Sequence, residues 1–517
     1  MSKSDIISIY DKSPKIAVLE STFAARQKSQ MTGLVGSSLS FVMHSLFKKA
    51  ELPFLILFNN KEEAAYYLND LEQLINTEDV LFYPSSYRRP YQIEETDNAN
   101  VLLRAEVLNR INSRKKPAII VSYAEAIFEK VVTRKELEKN TLKLSVDDKL
   151  SIDFINETLF EYNFKRVDFV TEPGEFSVRG GIIDVFSFSN DNPYRIEFFG
   201  NEIDSIRSFD VETQLSIEKL KKISIIPNVE NKLLQENRES FLDYINEKTV
   251  LAIQNTELLG QQLDKLFDKA NEAFEKLSKD IQHAPPEDLF LNQKQFLKRA
   301  LDFSVIELHA NAVFKTDKKV EFHIQPQPSF NKQFDLLLNN LSENHFNGYK
   351  NYLCCSNENQ ASRFHDIFED IDEANHESIR KQYKTMVLPL FEGFIDEENQ
   401  IACYTDHQIF ERYHKFSIKN GYSKKQTITL KELTSLSVGD YVTHIDHGIG
   451  KFGGLQKIQV EGKTQEAIKL VYADNDIVYV SIHSLHKISK YNGKDGAPPK
   501  IYKLGSNAWK TLKQKTK

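Results

Sequence analysis

The stretch from Glu172 to Gln214, EPGEFSVRGGIIDVFSFSNDNPYRIEFFGNEIDSIRSFDVETQ, alternates apolar and polar residues with a period of two, the pattern of half-buried strands. In Tyr194–Phe199 the alternation sets Ile196 and Phe198 on one face and Arg195, Glu197 and Phe199 on the other. Gly200-Asn201 then supplies a two-residue hairpin turn. In the preceding hairpin Ser177 and Arg179 alternate with Phe176 and Val178, which puts Arg179 within reach of the same open face. A face holding arginines, a carboxylate and a large aromatic is rich in the anchors that protein interfaces favour. The same residues also fit an ordinary solvated sheet surface with one stray phenylalanine.

Outward from this stretch the period changes. Residues 30–135 carry apolar runs at Phe54–Phe58, Val80–Tyr83 and Ala118–Val121, separated by helical patterns at Glu62–Ile75 and Ala99–Ile111. Strands alternating with helices predict a parallel sheet. Residues 233–318 read as mostly helical and strongly charged, with the run Leu258–Leu277 broken by Pro285-Pro286. From 320 to 430 the α/β pattern returns, with strands expected at Tyr352–Cys355, Met386–Leu390 and Ile401–Thr405 and a helix at Asn359–Phe368. The Lys-rich segment Lys415–Lys425 closes that region, a Gly-punctuated all-β piece follows from about 435 to 490, and a basic tail ends the chain.

Composition narrows the function classes. A chain of 517 residues with 40% hydrophobic and 11% aromatic content has apolar surface for several cores, and is too apolar for global disorder. The net charge of −7 gives no overall pull toward nucleic acid, although Lys487–Lys517 holds nine lysines against one acid, Asp495. That tail fits a solvated linker helix better than a specific DNA site, since Tyr491, Tyr502 and Trp509 are its only aromatics. Three cysteines, Cys354, Cys355 and Cys403, cannot form a disulfide framework or a four-thiolate zinc site, so a reducing, cytoplasmic setting is expected. The vicinal pair Cys354-Cys355 reads as structural thiols at a strand end. No window approaches the roughly 18 apolar residues that a membrane span needs.

Only 19 glycines are present, which directs attention to phosphate loops. The best match to G-x-x-x-x-G-K-[ST] is Gly33-Leu34-Val35-Gly36-Ser37-Ser38-Leu39-Ser40, leading into the apolar run Phe41–Phe47. Ser38 stands where the second glycine would let amides close around phosphates, and Leu39 stands where the lysine would reach the β and γ oxygens. Ser40 keeps a hydroxyl suited to Mg2+, but without the lysine nothing neutralises a transferring phosphate, so Gly33, Ser38, Leu39 and Ser40 read as a non-functional loop inside an α/β core. Asp396-Glu397-Glu398-Asn399, the one DExx-like string, sits in a polar hairpin-like stretch and reads as a chance match.

In the C-terminal piece, LSVGDYVTHIDHGIGKFGGLQKIQVEGKTQEAIKLVY (Leu436–Tyr472), Gly448, Gly450, Gly453 and Gly454 mark the sharp bends of a small barrel. His444, Asp446 and His447 are three possible ligands within four residues and have no partner cluster elsewhere, so turn hydrogen bonding explains them better than a metal.

The string PGEFSVRGGIIDVF with YRIEFFGNEIDSIRSFDVETQ closely resembles the inserted domain shared by the excision-repair helicase subunit UvrB and the N-terminal module of the bacterial transcription-repair coupling factors (Mfd). In both families that domain docks on the damage-recognition protein UvrA. The resemblance implies UvrA contacts at Arg179, Arg195 and Phe199, with Glu197 on the same face. UvrB keeps an intact Walker motif whereas the coupling factors have lost it, and Leu39 matches that loss. The phrase GDYVTHIDHGIGKFGGL and its continuation into KLGSNAW resemble the RNA polymerase-interacting, CarD-like domain of the coupling factors. Such domains bind the polymerase β subunit by pairing strand edges. The edge implied here is Leu455–Val460, with contacts at Leu455, Lys457, Ile458 and Val460.

The resemblance implies a multidomain α/β chain: a degenerate RecA-like or UvrB-like parallel-sheet domain with an inserted α+β domain, a second α/β domain and a C-terminal Tudor-like small β-barrel. The expected boundaries are 1–138 and 227–318 for the two parts of the UvrB-like domain, 139–226 for the insert, 319–432 for a species-variable domain, 433–490 for the polymerase-binding barrel and 491–517 for the start of a linker. It implies a non-catalytic scaffold, binding no cofactor or metal itself, within a longer ATP- and Mg2+-dependent DNA translocase. DNA would be handled through a C-terminal half beyond this chain, and the chain would be monomeric with its UvrA-docking face open. Two other readings compete: a UvrB-type helicase subunit, which the missing lysine opposes, and a CarD-type transcription regulator without a repair role.

Overall fold

The computed structural model describes residues 3–86, 91, 98–113, 116–188, 190, 192–211, 213–226, 238–277, 284–371, 379–412, 437–444, 447–460, 463–481, 488–490 and 501. The chain divides into two units, Met1–Glu138 with Leu233–Asn420, and Lys139–Lys232 with Gly421–Lys517.

The first unit contains a seven-stranded sheet in the order Lys318–Glu321, Lys28–Thr32, Ser304–Glu307, Val250–Ile253, Phe54–Phe58, Ile119–Tyr123 and Val80–Phe82. Every described pairing in it is parallel. Phe54–Phe58 is buried at all five positions, as an unbroken apolar run must be when both faces of a parallel sheet are covered. Each of these side chains contributes roughly 1.5–3 kcal/mol by leaving water. Helix Lys61–Leu74 starts where the Asn60 side chain accepts the Glu63 N–H, with Glu62 and Glu63 complementing the helix N-terminus. Helix Ser38–Ala50 stops at Glu51, which turns left-handed just after Lys48 and Lys49 in the last turn.

A second sheet in the same unit runs Ile324–Pro326, Phe394–Asp396, Ile401–Thr405, Lys350–Cys355, Tyr383–Val387. Its core gathers Leu337, Leu341, Leu353, Phe364 and Tyr404. Asp396 ends one strand, and Glu397-Glu398-Asn399 lie in the turn of the antiparallel hairpin that joins it to the next. Cys354, Cys355 and Cys403 are free and buried, and a hydrogen bond with Cys403 together with burial pushes the Cys354 thiol up, which suits inert structural thiols. Lys415–Lys425 lies outside the described residues.

One expectation needs amending. The segment 233–318 is helical at Thr256–Glu275 and Gln293–Ala300, but it also supplies Val250–Ile253 and Ser304–Glu307 to the middle of the parallel sheet. Each strand is four residues long, too short to show a period against the charged helices on either side.

In the second unit a six-stranded sheet runs Ser216–Leu220, Glu202–Phe209, Tyr194–Phe199, Ile182–Val185, Glu175–Arg179, Lys165–Arg166. It is antiparallel except at its last pair. The C-terminal strands run Ile477–Ser481, Lys463–Val471, Gly448–Val460, Tyr441–His444, Ile488–Lys490, all antiparallel, around Val442, Phe452, Ile468, Leu470 and Val480. Among the described residues no pairing joins the first of these strands to the last, so the five form a sheet whose closure into a barrel is not among the described pairings. Phe169 of the insert and Ile501 pack on its core. Among the described residues no helix is long and apolar enough to cross a membrane.

Candidate docking surfaces

On the insert, strand register brings the polar face together. Ser177, Asp184, Arg195, Arg207 and Lys219 stand side by side across five strands. The adjoining row holds Arg179, Ile182, Glu197 and Ser205. Three of the four residues expected to form one face, Arg179, Arg195 and Glu197, therefore share it, and Phe199 follows at the hairpin end past a register shift, 84% exposed.

Their surroundings differ sharply. Arg195 lies over the Phe209 ring at 4.4 Å and binds Asp184 with two bonds, Nε to Oδ1 at 2.7 Å and Nη2 to Oδ2 at 2.9 Å. Its Nη1 donates to the Gln214 carbonyl at 3.3 Å, and only 17% of the side chain is exposed. Arg179 also pairs with Asp184 and lies 5.0 Å from the Phe169 ring centre, but is more open at 40%. Glu197 accepts from Ser205 Oγ at 2.7 Å and pairs with Arg207. One buried carboxylate thus orients two guanidinium groups, and a second cross-strand pair fixes Glu197. Exposed residues here include Arg179, Lys219 and Phe199 and, on the edge strand and the turn before it, Ile217 and Leu215.

Asp184 is the residue the sequence reading missed. A signal was present: Ile183 and Val185 alternate with it, so it must face the same side as its cross-strand neighbour Arg195. Arg207 could not have been found by counting back from the turn at Gly200, whose φ is +64°, because a register shift between Glu197 and Phe198 moves it from opposite Tyr194 to opposite Arg195.

In the C-terminal sheet, Gly448–Val460 pairs with Lys463–Val471 along one side. On its other side it pairs with Tyr441–His444 only through residues 448–451, with Phe452 bonded to Gly439 and Asp440. Beyond Phe452 that second edge has no partner among the described residues. The change comes at a bulge, where Gly453 and Gly454 together face a single residue and Gly454 takes φ +92°. Leu455, just past the bulge, is 45% exposed. Lys457, Ile458 and Val460 pair with Glu466, Gln465 and Lys463, while their side chains lie outside the described residues. His447 donates its backbone N–H to His444 Nδ1 at 3.3 Å, a turn bond of the kind expected there; Asp446 lies outside the described residues. Among the described residues no group of His, Cys, Asp or Glu could hold a metal.

The phosphate-loop residues sit where a parallel sheet would present them, at the start of helix Ser38–Ala50, and Ser38, Leu39 and Ser40 are all buried.

Residues 142–230 match the UvrB interaction domain family, and residues 436–492 match the CarD-like/TRCF RID domain family. The chain is similar to the transcription-repair-coupling factor of Bacillus subtilis, 25% identical over 556 aligned residues covering 94% of this chain and 47% of the relative. The proteins of the same description from Haemophilus influenzae and Staphylococcus epidermidis are 24% and 23% identical, covering 85% and 99% of this chain and 43% and 49% of theirs. The chain thus spans about half the length of the curated relatives it matches. Through these two domains and the match along most of its length, the chain is related to the transcription-repair-coupling factors and corresponds to their N-terminal region.

Proposed function

We propose that the chain is the docking scaffold of a transcription-repair coupling factor. UvrA binds the insert through Arg179, Arg195, Glu197 and Phe199, and the polymerase β subunit adds a strand to the edge Leu455–Val460. The observation that carries the first half is the combination on one sheet face of a fully presented Phe199 with arginines already held in position by Asp184. Pre-oriented guanidinium groups lose little side-chain entropy when a partner arrives, and an exposed aromatic at a hairpin tip is an anchor seeking a pocket. The second half is supported by the edge beyond the Gly453-Gly454 bulge, which has no partner among the described residues and offers main-chain groups at a spacing that another strand can match.

Binding of the whole chain to UvrA and to the β subunit, measured in parallel on one preparation, tests the reading. Arg179→Ala should abolish UvrA binding and leave the β subunit bound. Replacing Leu455 by Asp should do the reverse. UvrA binding that survives both Arg179→Ala and Phe199→Ala would refute the assignment of this face. The ATP-driven translocation implied for coupling factors is not assigned to any residue of this chain, and an ATPase assay should show no turnover that depends on Ser40.

A further inference from the structure

The degenerate phosphate loop is occupied by the protein itself. Gly33 and Gly36 retain positive φ, +75° and +55°, and each is closely approached by backbone rather than by empty space. A Cβ on Gly33 would lie 1.8 Å from the Phe322 carbonyl oxygen, and one on Gly36 would lie 2.9 Å from the Gly393 carbonyl oxygen. Glycine serves here the purpose it serves in an intact loop, close approach by an acceptor, but the acceptors are carbonyls leading into and out of the five-stranded sheet.

The donors are engaged in the same way. Ser37 N–H donates to the Glu392 carbonyl at 3.0 Å, and Glu392 N–H returns a bond to Ser37 Oγ at 3.0 Å. Val35 N–H is taken by Ser38 Oγ at 3.1 Å and Ser40 N–H by the Ser37 carbonyl at 3.0 Å. Ser40 Oγ, at the position suited to a magnesium ligand, turns to Asp70 Oδ2 at 3.5 Å. Asp70 Oδ1 accepts the Phe391 N–H at 2.7 Å. The Phe391 ring stacks on Tyr66 with centroids 4.0 Å apart, and Asn69 Nδ2 donates to the Pro389 carbonyl at 3.3 Å.

We propose that the segment Pro389–Gly393 is a latch that occupies the place of nucleotide phosphates on this loop and fastens the five-stranded sheet to the seven-stranded one. The Glu392 carbonyl stands where a phosphate oxygen would receive a loop amide, and Phe391 clamps the segment against helix Lys61–Leu74. On this view the loop kept its glycines and serines because it still binds an acceptor, and lost its lysine because a carbonyl carries no net charge for it to neutralise. The latch excludes ATP and holds two sheets joined in sequence only by the segment between them.

Hydrogen exchange on the whole chain, read by mass spectrometry with and without millimolar ATP and Mg2+, tests this. Phe391→Ala and, more mildly, Ser37→Ala should each speed exchange at Ser37, Phe391 and Glu392 by about tenfold or more, while Leu55–Leu57 and Tyr352–Cys354 keep their protection. ATP should leave exchange of the wild-type loop unchanged. Three results would overturn the latch: protection of Gly33–Ser40 by ATP in the wild type, unchanged exchange at Phe391 and Glu392 in both variants, or loss of protection throughout both sheets in the milder Ser37→Ala variant.

Discussion

The insert face around Asp184 and the phosphate loop around Ser37 use similar chemistry and end in opposite states. At the face, a buried carboxylate holds two arginines whose neighbours, Phe199 above all, remain in solvent. At the loop, Ser37 N–H and Oγ bond the Glu392 backbone, the buried Asp70 carboxyl accepts the Phe391 N–H, and Val35 N–H and Ser40 Oγ are taken by side chains of the protein itself. The contrast teaches that a binding motif is defined by which of its groups remain unengaged. Arg195, mostly covered, acts chiefly by position, whereas Phe199 is held by little and has its surface to offer.

The strongest challenge to this contrast is Phe391→Ala. The ring is half-buried and stacked on Tyr66, so its removal should lower stability by about 3 kcal/mol in urea unfolding, near the lower end for a phenylalanine truncation. A change under 0.5 kcal/mol would show the loop to be as loosely filled as the insert face is open. Next comes Asp184→Ala. Without its carboxylate two guanidinium groups lose their common partner, and a cost of about 2 kcal/mol is expected, reduced from that of a fully buried pair because both arginines reach water. UvrA binding should fall with it, and Asp184→Asn should restore part of the stability.

Asp70 gives a smaller, pH-dependent effect. Burial pushes its carboxyl from 3.8 up to about 7, against the lowering effect of bonds from Ser37, the Phe391 amide and Ser40, with Glu392 adding to the rise. A carboxyl raised in the folded state favours folding most below its unfolded value, and that contribution is lost as pH climbs from about 4 toward 7. Asp70→Asn should therefore flatten the stability profile in that window. Steeper loss on acidification in the wild type than in the variant would contradict the assignment. The smallest effect on stability belongs to Phe199→Ala, within about 0.5 kcal/mol, although UvrA affinity should drop by about tenfold or more. A fold-breaking Phe199→Ala would erase the distinction between the two regions.

Much of this was legible in the chain. Phe54–Phe58, helix Lys61–Leu74 and the Gly200-Asn201 hairpin are local patterns whose period or turn chemistry leaves one reading. That Arg195 and Glu197 share a face follows from alternation alone, while the pairing of both Arg179 and Glu197 with Ile182 is what adds Arg179 to it. Val250–Ile253 and Ser304–Glu307 were not legible, because segments as short as VLAI and SVIE suit a buried strand or a helix equally and only their parallel neighbours decide. The C-terminal sheet shows the same limit: its glycines announce bends, but which edge stays open depends on where pairing with Tyr441–His444 stops.

The sequence by itself determined which residues could do chemistry: a loop without its lysine, a strand bearing arginine, glutamate and phenylalanine on one side, and three thiols too few for a framework. Only the tertiary structure decided which of them are free. Asp184 meets Arg195 across 11 residues of chain, while Glu392 meets Ser37 across 355. Contacts of the first kind follow from strand register, which local pattern dictates. Those of the second kind depend on how two separately folded sheets meet, and no local pattern in either segment specifies its partner.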